Sequence, residues 1–326
     1  MQPSSLLLIK PGSMGDVIHS LPVASVIHRA WPDTKLTWIV DPRWAPLLEG
    51  NPAIDRVHFF PREHFRGIAG FARSIAWYRN LRDLRPDVAL DLQCLLRSGV
   101  MSRCSGARRV YGLGDAREGA GFFYTDKVPV RRDEHAVSRY LRAIPALGID
   151  PETPWEWTLP AGRPCPAFSP ARDFILLHPF SRGVGKSLDN ESVRAFVEAF
   201  QNESSLDIVI AGVGNYDTDH GPGVINLMGR TSLLELVWLM RAARFVVSVD
   251  SGPMHIAAAL GLPLLSIHTW SNPRLVGPYL DEAWIWQGGE IRRQNLNADP
   301  LPPKPYTATD AAETGAFVAK TAGTQT

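Results

Sequence analysis

The sequence predicts an α/β chain built from two doubly wound units, and three observations carry that expectation. Short apolar runs alternate with longer segments of helical period along most of the 326 residues. The alternation stops across residues 149–172, where six prolines break any period, and afterwards it starts again. Strand-turn-helix units in series make a parallel sheet wrapped by helices, so a pattern that runs twice predicts two sheets.

Taken in order, residues 6–10 (LLLIK) read as a buried strand, and Gly12 and Gly15 permit a tight turn into a helix. Strands are expected over 35–40, 55–60 and 86–92, with one long helix from Phe65 to Leu84. After the proline-rich stretch, strands fall at 173–179, 206–212, 244–250 and 263–268, separated by helical segments. The resulting domains are 1–160 and 161–306, with a last helix in 307–326. In such sheets ligands bind beyond the carboxyl ends of the strands, and every unusual motif of this chain falls at such an end.

Composition narrows the function classes. Apolar residues make up 45% and charged residues 21%, which argues for a packed chain and against disorder. A net charge of +1 supplies no global field for nucleic acid, so no nucleic-acid partner is expected and any basic patch is local. Cys94, Cys104 and Cys165 have neither metal-ligand nor disulfide spacing, which suits a reducing compartment. The first apolar run is too short for a signal-peptide core, and no stretch approaches a membrane span, so a cytoplasmic location is expected.

Three motifs can carry chemistry. Asp16 stands at a helix entry, where a carboxylate either caps the helix or faces the ligand as a general base. HPFSRGVGKS (178–187) ends like a P-loop, but Phe180 occupies the place of the first glycine, so the phosphate cradle of that motif is not spelled. It still brings Ser181, Arg182 and Lys186 to one strand end, a set suited to a diphosphate. Asp250, Ser251 and Gly252 form another strand-to-helix turn, whose N–H groups can receive a phosphate oxygen, and His255 follows one turn later as either a packing residue or a ligand. In the first half, arginines gather around 62–67, Arg97, Arg103, 107–109, Arg117 and Arg139, a rim for an anionic partner.

With these motifs placed, the chain resembles glycosyltransferase family nine, the ADP-heptose:lipopolysaccharide heptosyltransferases. The likeness rests on SMGDVIHSLP (13–22), LDLQCLLRS (90–98), DAREGAGFFY (115–124), EHAVSRYL (134–141), GKSL (185–188) and RFVVSVDSGPMHIAAALGLP (244–263). The spelling at 13–22 is nearest to the family's first heptosyltransferase, which acts on the Kdo-lipid A acceptor. The resemblance implies a GT-B fold, two Rossmann-like domains facing across a cleft, and a C-terminal helix that packs back on the N-terminal domain. It implies an inverting, metal-independent transfer with no cofactor beyond the donor ADP-heptose, and an anionic lipid-linked saccharide as acceptor. It leaves room for peripheral contact with the cytoplasmic face of the inner membrane.

By motif match Asp16 takes the base role. Ser181, Arg182, Lys186, Asp250, Ser251, Gly252 and His255 hold the donor, and Gly15, His19, Arg62, Arg66, Arg97 and Arg117 the acceptor. The chain departs from the family at Cys94, where glycine is usual, and at Tyr216 and Asp217, where the family often has a glutamate for the nucleoside. Competing readings are a family-nine enzyme with another donor or acceptor, a nucleotide-sugar epimerase of the same architecture, a P-loop NTPase and a non-catalytic binder.

Overall fold

The computed structural model describes residues 2–214 and 221–324; Tyr216 and Asp217 lie outside them. The chain divides into two compact units, Met1–Pro160 and Ala161–Thr326.

The first unit begins with β1 (Ser5–Ile9), whose last four residues are buried, and α1 (Met14–Ala30). It continues through β2 (Lys35–Val40), β3 (Arg56–Phe59), α2 (Gly67–Asn80), β4 (Val88–Asp91), α3 (Leu96–Cys104), β5 (Arg109–Leu113), β6 (Asp126–Val128), α4 (Ala136–Leu141) and α5 (Ala143–Ala146). Its sheet has the order β3-β2-β1-β4-β5-β6, all parallel. Order reverses between β1 and β4, where Leu7 lies beside Thr37 on one side and Ala89 on the other. Buried on both faces, β1 can be apolar throughout, which is why it reads as a continuous run. The long helix expected over 65–84 is interrupted: a 3-10 turn, Arg62–Phe65, precedes Gly67 at φ +70°, and a second 3-10 turn, Leu81–Asp83, follows α2. A left-handed residue cannot continue a right-handed helix, so α2 starts afresh at that glycine.

The second unit holds β7 (Phe174–His178), α6 (Asn190–Gln201), β8 (Asp207–Gly212), β9 (Val224–Met228), α7 (Leu233–Ala242), β10 (Phe245–Val249), α8 (Gly252–Ala259), β11 (Leu264–His268), α9 (Pro273–Val276), β12 (Trp284–Gln287), β13 (Glu290–Arg293) and α10 (Ala308–Gly323). The order is β13-β12-β11-β10-β7-β8-β9, with only β13 antiparallel among the described pairings, and the reversal falls between β10 and β7. Helices start at chemically marked places. The Asp189 carboxylate accepts the Ser192 N–H at the head of α6, and Ser232 and Glu235 cap α7 reciprocally.

The last helix, α10, lies along α6 and completes the core of the second unit. Ala311, Val318, Ala319 and Ala322 are buried with Phe196 and Phe200, and Gly315 is essential to the approach. A Cβ on Gly315 would stand 2.4 Å from the Phe196 carbonyl oxygen. Small residues on the inner face of α10 let two helix backbones come this close, which favours α6 as its neighbour. Among the described residues no helix is long and apolar enough to cross a membrane.

Candidate functional site

In the first unit the polar residues collect at the switch point. β1 delivers Lys10 and the turn before α1; β4 delivers Asp91 and the loop carrying Gln93, Cys94 and Arg97. The two loops are tied by the Gly12 N–H, which donates to Gln93 Oε1 at 3.3 Å. Asp16 does both things a carboxylate at a helix entry can do. Its Oδ2 accepts the N–H and the hydroxyl of Ser13, each at 2.9 Å, and so serves the helix start. Its Oδ1 accepts the Tyr140 hydroxyl at 2.8 Å and lies 3.4 Å from Lys10 Nζ. Lys10 Nζ in turn donates to Tyr140 Oη at 2.7 Å and to the Leu92 carbonyl at 2.8 Å.

Burial works to raise the Asp16 pKa, but the Lys10 ammonium and the donors on Tyr140 and Ser13 outweigh it and hold the carboxyl at about 2. Tyr140 itself is buried, and burial beside the Asp16 charge raises its phenol well above the usual range, so it stays a donor. A third of the Asp16 side chain remains exposed (35%), so the ionised carboxylate is within reach of a ligand.

The other expected acceptor residues fare unequally. Arg97 is half-buried, and its Nε has no hydrogen-bond partner among the described residues. Burial and the nearby Arg62 charge both work against that guanidinium. Arg117 is exposed, its backbone tied to the Cys94 carbonyl. Arg66 is exposed and paired with Glu63 at 2.9 Å, between the 3-10 turn and α2. Gly15 is buried in the first turn of α1. His19 is buried too (4% exposed), edge-on to His135, whose Nδ1 accepts the Val137 N–H at the head of α4. That placement fits packing between α1 and α4 better than contact with a ligand.

Sequence reasoning missed Lys10, Tyr140 and Asp91. The Asp91 carboxylate, fully buried and raised in pKa by that burial, accepts the Tyr124 hydroxyl at 2.7 Å and the Gln93 and Cys94 N–H groups. It shapes the loop in which Cys94 takes φ +57°, the left-handed position where the family's glycine is usual.

The second unit repeats the arrangement. Loops after β7 and β10 meet at the switch point, with Lys186 Nζ 2.5 Å from Asp250 Oδ2 and the Ser181 hydroxyl donating to the Asp250 carbonyl at 3.2 Å. Asp250 is 6% exposed. Burial would raise its pKa, but His268, Lys186 and Ser271 together depress it, so it is a buried anion held by one cation. His268 is pushed down to about 4 by burial and hydrogen-bonds Ser266 and Ser271.

Ser251 caps α8 by position only: its side chain makes no cap hydrogen bond among the described residues, and the helix opens with the Gly252 N–H ahead of Pro253, which has none. His255 is buried in that first turn and Arg182 is exposed on its loop. Trp270, also missed, supports the lysine: its ring lies 4.5 Å from Lys186 Nζ, and its Nε1–H donates to the Val184 carbonyl. Thr269 Oγ1 donates to the Gly185 carbonyl, where φ is +71°. Among the described residues no group of three histidine, cysteine or acidic side chains is placed to hold a metal ion.

Two doubly wound units, each with its polar residues at the switch point, make the GT-B fold. That fold is shared with the Escherichia coli heptosyltransferase WaaC solved with ADP, at TM-score 0.75, 23% identity, and coverage of 97% of this chain and 99% of that one. The chain belongs to glycosyltransferase family 9 (heptosyltransferase), whose family model matches residues 75–298. It is 29% identical over 297 residues to lipopolysaccharide heptosyltransferase 1 of Pseudomonas aeruginosa, covering 84% of this chain and 81% of that one. To the Escherichia coli K12 protein of the same description it is 25% identical over 313 residues, covering 91% and 97%.

Proposed function

We propose that the protein moves a heptose from ADP-heptose, with inversion, onto the Kdo-lipid A inner core in lipopolysaccharide biosynthesis, working at the cytoplasmic face of the inner membrane. The observation that carries this reading is the Lys186–Asp250 pair beside the N-terminal turn of α8, which the Ser251 side chain leaves uncapped. A diphosphate entering there meets a cation already immobilised by its partner and by the Trp270 ring, together with aligned backbone donors. The names of the relatives agree with it: they are lipopolysaccharide heptosyltransferases, and one solved neighbour carries ADP-2-deoxy-2-fluoro heptose.

The chemistry then follows from the residues. The anomeric C–O bond breaks with its electron pair leaving on the diphosphate, and that charge is met by Lys186 and the α8 N–H groups with no metal required. The acceptor oxygen forms the new bond from the opposite face, and its proton passes to an Asp16 carboxylate oxygen. A carboxylate held at about 2 is fully ionised at neutral pH but weakly basic. It therefore takes the proton late, once bond formation has made the hydroxyl acidic, a contribution of roughly a hundredfold or more. Arg97, Arg117, Arg62 and Arg66 are the candidates for the acceptor's acid groups, Arg97 foremost because its buried Nε lacks a partner among the described residues.

The test is calorimetric titration with ADP, UDP and GDP, without added metal, on wild type and Lys186→Ala, followed by donor turnover with and without Kdo-lipid A. Selective ADP binding, weakened in the variant, and heptose transfer only with acceptor are expected. Preference for UDP or GDP would keep the family and discard the donor, and turnover of donor alone would turn the reading toward isomerisation.

A further inference from the structure

Helix α2 is oriented against the usual rule. A helix lying on a core ordinarily turns its apolar stripe inward and its polar residues out. Here the inner side consists of Gly70, Ser74, Trp77 and Tyr78, and it is fully engaged: Trp77 Nε1 donates to the Phe59 carbonyl, and its ring packs on Phe60 and Phe65. The outer side carries Ile68, Phe71 and Ile75 at helical spacing, 95%, 66% and 44% exposed. Exposed alanines 69, 72 and 76 lie beside this stripe and widen the apolar side. Phe59, 53% exposed at the end of β3, is a further outward ring on the same unit.

The core gains nothing from these side chains, and an apolar stripe left in water carries a standing cost. Charge tells what covers it. The segment 62–80 has four arginines, Arg62, Arg66, Arg73 and Arg79, against one glutamate, Glu63, and all four arginines are exposed. On a helical projection Arg79 continues the apolar line one turn beyond Ile75, whereas Arg73 sits across the alanines at the far edge of the exposed side.

We infer that the outer face of α2 docks on an anionic lipid bilayer, with Ile68, Phe71 and Ile75 entering the interfacial layer and Arg73 and Arg79 meeting lipid phosphates. A helix of this length, about 21 Å, lies flat in the headgroup boundary and does not span. The proposal rests on the reading of the acceptor as lipid-borne only for its purpose; docking itself needs neither donor nor acceptor. It gives that acceptor a fixed surface from which to be presented.

The test is flotation of the full chain with vesicles of phosphatidylethanolamine and phosphatidylglycerol, and with phosphatidylcholine alone, in the absence of substrates. Wild type should float with the anionic vesicles and bind the neutral ones much more weakly, with release by salt. Ile68→Asp and Phe71→Asp should each weaken partitioning roughly tenfold, and Arg73→Gln with Arg79→Gln each by roughly fivefold. Because all four positions are exposed, thermal unfolding and ADP binding should stay as in wild type. Equal flotation of wild type and the aspartate variants would overturn the proposal. So would a wild-type protein that ignores vesicles but forms a dimer that Ile68→Asp dissociates. Failure of heptose transfer with intact flotation would instead count against the proposed reaction alone.

Discussion

Replacing Tyr140 by phenylalanine deletes one buried hydroxyl and leaves the ring in place. That hydroxyl donates to Asp16 Oδ1 at 2.8 Å and accepts from Lys10 Nζ at 2.7 Å, and the residue is 2% exposed. A hydrogen bond to a charged group is worth about 1.5–3 kcal/mol. The low end, about 1.5 kcal/mol, applies here because a third of the Asp16 side chain sees solvent and Lys10 can close from 3.4 Å. Converted, that loss moves the Asp16 carboxyl up by about one pKa unit, from about 2 toward the ordinary range.

The sign follows from the depressed value. In wild type the stability tied to Asp16 is fully present above the ordinary carboxylate pKa, 3.8, and drains as pH falls toward 2. The variant should therefore be less stable by about 1.5 kcal/mol at pH 7, with the two unfolding curves converging on acidification. Activity at pH 7 should fall roughly tenfold, since Asp16 is ionised in both proteins and only its aim is lost. Carbon-13 NMR of the aspartate carboxyls, urea unfolding against pH, and kcat with KM are the measurements. An unshifted Asp16 titration with unchanged kcat would refute the coupling of Lys10, Tyr140 and Asp16. A fall in kcat without any shift would mean that the hydroxyl acts through positioning and not through the Asp16 charge.

Two further perturbations separate binding from folding in the second unit. Lys186→Ala strips the cation from Asp250, so it should cost about 3 kcal/mol of stability and at least tenfold in ADP affinity. Adding Asp250→Asn should restore most of the stability in urea unfolding but none of the affinity by calorimetry. Gly315→Ala sets a Cβ against the Phe196 carbonyl and should cost about 2 kcal/mol by prising α10 from α6, although alanine is the better helix former. A neutral result in urea unfolding would mean that α10 does not rest on α6.

Much of this protein is legible in the chain. The two doubly wound units follow from the apolar periods and from the proline-rich break, because strand and helix patterns are local and each repeats within one segment. Asp16, Lys186 and the turn at Asp250 are likewise marked locally, since a strand end followed by a helix entry is where a parallel sheet holds its ligands. The tertiary structure alone brings Tyr140 to Asp16, 124 residues away, and sets His19 into the interior beside His135. It also decides which side of α2 faces the core. The segment has apolar residues on both sides, Trp77 inward and Phe71 outward, so its periodicity marks a helix without choosing a face. The last helix is the same case: small residues at 311, 315, 319 and 322 announce a close neighbour, but only packing decides that the neighbour is α6. Local pattern is written in adjacent residues, whereas the choice among partners is made by shape and burial between segments far apart in sequence.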